Sequence, residues 1–72
     1  MKNQLVICVE NSGYEVSLET RKLYETIPDK GAEKLNQIRV IDESGEDYLY
    51  PTEMFISVDL PSGIEKAVLS AA

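Results

Sequence analysis

Arg39-Val40-Ile41-Asp42-Glu43-Ser44-Gly45-Glu46-Asp47-Tyr48-Leu49-Tyr50-Pro51 reads as two short strands joined by a tight turn and followed at once by a helical-turn signal. Ile38 and Val40 fall on one face of the first strand with Arg39 on the other. Gly45 is the residue best able to take the positive φ that the connection needs. Asp47 to Tyr50 forms the returning strand. Pro51 then sets φ where a helical turn can begin, and Thr52-Glu53-Met54 fit one short turn. Phe55-Ile56-Ser57-Val58-Asp59 resumes the extended pattern until Pro61-Ser62-Gly63 stops it.

Upstream, Leu5-Val6-Ile7-Cys8-Val9 is short, β-branched and bounded by Asn11-Ser12-Gly13, the pattern of a largely buried first strand ending in a turn. Tyr14, Val16 and Leu18 alternate with Glu15, Ser17 and Glu19, which predicts a second strand paired to the first as a hairpin. Leu23 to Ile27 alternates again and is closed by Pro28-Asp29-Lys30-Gly31, predicting a third. Ala32 to Asn36 contains good helix formers but is too short to be stable alone, so one helical turn is expected there. Ile64, Val68 and Ala67 share a helical face, with Ser62 as N-cap and Glu65 completing a capping box. No repeat or linker divides the chain. The expectation is therefore one domain over 1–72, mainly β, with a helical tail from about 62.

A chain of 72 residues is near the lower limit for a domain folding alone, and so small a core leaves little interior for a deep, water-excluding active site. The longest apolar run is Leu5 to Val9, far short of the roughly 20 residues of a membrane span. Met1-Lys2-Asn3-Gln4 precedes only that run and no small-residue cleavage site follows, so a cytoplasmic, soluble protein is expected. Thirteen acidic against seven basic residues give a net charge of -6, which disfavours nucleic acid and anionic membranes and favours basic partners. The basic residues are scattered, and only Arg21 and Lys22 are adjacent. The chain has no histidine, which removes the usual base for a hydroxyl or thiol nucleophile and the commonest zinc ligand. Its single cysteine, Cys8, sits in an apolar run and reads as a buried core thiol. No catalytic residue, cofactor or resident metal is expected.

The order of five or six short strands with a helical turn before the last resembles the SH3-like small antiparallel barrel. Within it, Tyr48-Leu49-Tyr50-Pro51-Thr52-Glu53-Met54-Phe55-Ile56 is similar to that fold's strand, 3₁₀ turn and final strand. The whole chain also resembles a group of small bacterial proteins in which a segment like Arg39 to Pro51 recurs, a group that implies no activity or site residues. Peptide-binding SH3 domains grip polyproline with an Ala-Leu-Tyr-Asp-Tyr-type segment and a tryptophan. This chain has neither, so proline-rich ligands are not implied.

Two constellations could carry function. Asp42, Glu43, Glu46 and Asp47 place four carboxylates around one turn, the oxygen-rich setting that hard cations such as calcium use, although the spacing does not fit an EF-hand and flanking strands send carboxylates to alternate faces. Tyr48 and Tyr50 share a strand face opposite Leu49 and form either an exposed aromatic patch or ordinary core filling. The function expected is a non-enzymatic interaction module. It contacts a protein partner, or its own copy, through strand edges and the Tyr48–Tyr50 hairpin with its acidic rim, and weak calcium binding at the turn is the alternative.

Overall fold

The computed structural model describes residues 4–70; the reading of the start at Met1 to Asn3 lies outside them. Five strands, β1 (Gln4–Cys8), β2 (Leu23–Ile27), β3 (Gln37–Ile41), β4 (Asp47–Pro51) and β5 (Phe55–Val58), form one antiparallel sheet in the order β4-β3-β2-β1-β5. A short helix α1 (Lys30–Lys34) links β2 to β3, a 3₁₀ turn (Thr52–Met54) links β4 to β5, and helix α2 (Ser62–Ser70) ends the described chain. No helix among the described residues is long and apolar enough to cross a membrane.

The sheet is not a closed barrel, and the expectation is corrected on that point. β4 and β5 stand at opposite ends of the order and exchange no ladder bonds, because the chain turns through Pro51 and the 3₁₀ segment to place β5 against β1. Pro51 brings no N–H to the exposed side of β4, which suits an edge strand.

The predicted strand at Tyr14 to Leu18 is also corrected. That segment is a chain of turns: the Leu18 and Ser17 N–H groups both donate to the Tyr14 carbonyl, and Tyr14 N–H donates to Asn11. Its alternation does not describe two faces of a sheet, since Val16 is 95 % exposed while Leu18 is fully buried. The partner of β1 is instead β2, in the register Leu5 opposite Glu25 and Ile7 opposite Leu23. Bonds from Cys8 N–H to the Lys22 carbonyl and from Arg21 N–H to the Cys8 carbonyl carry that pairing into the loop. Arg21 takes a left-handed φ of 68° at the loop's return.

One face of the sheet is the core. Val6 and Cys8 from β1, Tyr24 from β2, Val40 from β3, Tyr50 from β4 and Phe55 from β5 meet there, with Leu18 inserted from the loop and Met54 from the 3₁₀ turn. At α1 the boundaries move two residues towards the N-terminus of the predicted turn, because Asp29 caps it by accepting from Ala32 N–H at 3.0 Å. At α2 the first bond runs from Glu65 N–H to the Pro61 carbonyl, so the helix closes one residue ahead of the expected Ser62 cap. None of its residues is buried.

Candidate functional site

The β3–β4 hairpin is built as its sequence demands. Gly45 sits at φ +85° and its N–H donates to the Asp42 carbonyl at 3.0 Å, a conformation that an L side chain resists. Asp42, the last residue before the turn, folds its side chain inward. One carboxylate oxygen accepts from Ser44 N–H at 2.8 Å and from Ser44 Oγ at 2.5 Å, and the other accepts the Tyr50 hydroxyl at 2.6 Å. Asp42 is only 6 % exposed. Burial opposes its charge, but these hydrogen bonds outweigh it and hold the carboxyl below its ordinary range. Burial and the same carboxylate push the Tyr50 hydroxyl up to about 12.

The other three carboxylates of the turn diverge. Glu43 accepts from the Tyr24 hydroxyl at 2.5 Å and is paired with Lys22, whose ammonium and the Tyr24 hydroxyl hold Glu43 low. Glu46 accepts from the Tyr48 hydroxyl at 2.9 Å, and Asp47 pairs with Arg39, which also reaches Asp29. The four do not converge, and no group of three or more carboxylate or thiol ligands gathers among the described residues.

The two hairpin tyrosines part company as well. They share a face by period two, but the core ends between them: Tyr50 is 3 % exposed and Tyr48 is 49 % exposed. Tyr50 packs edge-on against Tyr14 at 5.0 Å and against Phe55 at 6.1 Å between ring centres, so its ring fills the interior. The Tyr48 ring stands half-exposed on the hairpin.

Between the turn-rich loop and the hairpin lies a groove of about 370 Å³. Tyr50 and Asp42 line it from the core side, and Tyr14, Tyr48, Leu49 and the two serines Ser17 and Ser44 complete it. A backbone bond from Glu43 N–H to the Ser17 carbonyl ties the loop to the hairpin, and the Asn11 side chain, donating to the Leu18 carbonyl, closes the loop on itself. Nothing local in the sequence joins Tyr14 and Ser17 to Ser44 and Leu49. The Tyr14 alternation predicts a strand, and only the fold carries this loop to the hairpin. Cys8 is fully buried, its thiol donating to the Glu10 carbonyl at 3.3 Å and raised by burial, as an inert core residue should be.

Comparison with protein-family models, with curated proteins and with solved structures returned no match for the chain.

Proposed function

We propose that the chain is a non-enzymatic, acidic protein-interaction module on an SH3-like small-barrel scaffold, and that it meets its partner at the groove between the Tyr14 loop and the β3–β4 hairpin. The scaffold reading is supported by the strand order β4-β3-β2-β1-β5, the long β1–β2 connection and the 3₁₀ turn leading into the last strand. The observation that carries the contact surface is the groove itself: Tyr14 from the loop and Tyr48 and Leu49 from the hairpin present exposed apolar surface beside one another. Aromatic surface at a groove is what protein interfaces use for their anchors.

The ionisable groups of the groove favour binding over catalysis. Tyr50 is raised to about 12 and Asp42 is lowered, so both sit far from the near-neutral values that suit a general acid or base. Calcium at the turn is less well supported, because Asp42, Glu43, Glu46 and Asp47 are each drawn to a different protein donor. Contact with a second copy draws support from Ile56, which lies exposed on the edge strand β5.

The test is site-specific photo-crosslinking in the producing cells, with the reactive residue at position 49 or, as a control, at position 33 on α1. A partner captured from position 49 alone, and lost on Tyr48→Ala, supports the groove. Capture from both positions, or from position 33 alone, moves the surface elsewhere. A captured second copy selects self-association.

A further inference from the structure

We propose that the groove receives an arginine side chain presented by a linear segment of the partner protein. The inference rests on the interaction-module reading and adds the chemistry of what is bound. It is carried by the charge of the groove and the kind of surface that surrounds that charge.

Asp42 lines the groove as a nearly buried carboxylate that its hydrogen bonds keep ionised, yet among the described residues no lysine or arginine pairs with it. Glu46 is held at the edge by the Tyr48 hydroxyl and is likewise without a cationic partner among those residues. Two cations tied to the hairpin are committed to other carboxylates, Lys22 to Glu43 and Arg39 to Asp29 and Asp47. The groove is therefore an aromatic-walled concavity with uncompensated negative charge, in a chain whose net charge is already -6. A cation from outside completes it, and anionic ligands are repelled.

Arginine suits the surface better than lysine. An ammonium is a strongly hydrated point charge that must exchange its water shell for several acceptors, and the Asp42 oxygens already carry three hydrogen bonds. A guanidinium is flat and weakly hydrated; it stacks on rings such as Tyr48 and Tyr14 while one edge faces a carboxylate. At about 370 Å³ the groove lies near the low end of the range of about 300 to 1,000 Å³ for small-ligand sites, which suits one long side chain with the segment's backbone lying across the mouth.

The experiment selects binders to the full chain from a displayed library of random dodecapeptides, then synthesises the enriched peptides and maps each by amide chemical-shift changes. The expected result is a shared arginine, with shifts centred on Tyr14, Ser17, Ser44, Tyr48 and Leu49. Replacing that arginine with citrulline, which keeps the shape and removes the charge, should weaken binding about tenfold or more, and lysine should weaken it several-fold. Tyr48→Ala, at an exposed position, should weaken the arginine peptide while leaving the spectrum folded, and Glu46→Gln, also exposed, should narrow the arginine-to-citrulline difference. Peptides that map to the groove but lack arginine, or that tolerate citrulline, overturn the arginine proposal and leave the groove standing as the contact surface. Peptides that map elsewhere, or a library that yields none, overturn both.

Discussion

At the scale of single residues, the organising feature is a set of tyrosine–carboxylate hydrogen bonds that tie the hairpin to the core. Tyr50 donates to Asp42 and Tyr24 donates to Glu43, so two core-facing rings end on two adjacent carboxylates of one turn. Tyr50→Phe keeps the ring but takes a donor from buried Asp42, and should cost about 1 to 3 kcal/mol in a urea denaturation series. Asp42 also sets a pH dependence. Its folded pKa is lowered, so its stabilisation is fully present above its unfolded value of about 3.9 and is lost as pH falls through the lower folded value. Unfolding midpoints measured from pH 6 to pH 2 should show a weaker acid limb in Asp42→Asn than in the parent. Gly45 isolates backbone strain from packing, because no atom lies within 4 Å of where a Cβ would stand. Gly45→Ala should lower stability by about 1 kcal/mol, and an unchanged midpoint would mean that the turn tolerates an L residue at φ +85°.

Among the elements, the strands and the helices carry unequal weight. Phe55 opens β5, is buried, and lies against Tyr50, so Phe55→Ala should cost about 3 to 5 kcal/mol and leave so small a domain largely unfolded by circular dichroism. Helix α2 is the opposite case. None of its residues is buried and Ile64 is exposed, so Ile64→Ser should change stability by no more than about 0.5 kcal/mol, as surface substitutions do. A large loss would place Ile64 under cover in solution. The β1–β2 connection behaves as an element in its own right, a folded loop pinned by Leu18 in the core and by the Asn11 side chain across its neck. Its geometry positions Tyr14, so the groove inherits its shape from this loop as much as from the hairpin.

For the whole molecule, the proposed partner would meet the net charge of -6 and the groove together. Glu43→Gln and Glu46→Gln should slow association with a basic partner at low salt and matter little at high salt, whereas Tyr48→Ala should chiefly speed dissociation; stopped-flow kinetics separates the two. Much of the architecture is legible in local sequence. The hairpin around Gly45, the turn after Pro51, the single turn near Ala32 and the core place of Phe55 each follow from residues a few positions apart, because backbone preference and period-two burial act locally. The Tyr14 to Leu18 segment carried the same alternation and is not a strand, since what decides pairing is whether a neighbouring strand accepts the register, and β2 holds that place beside β1. Likewise the sequence could put Tyr48 and Tyr50 on one face and four carboxylates round one turn, but not say where the core stops. The tertiary structure draws that boundary between the two tyrosines, burying Tyr50 on Asp42 and leaving Tyr48 at the rim, because burial depends on what the rest of the chain packs over each ring.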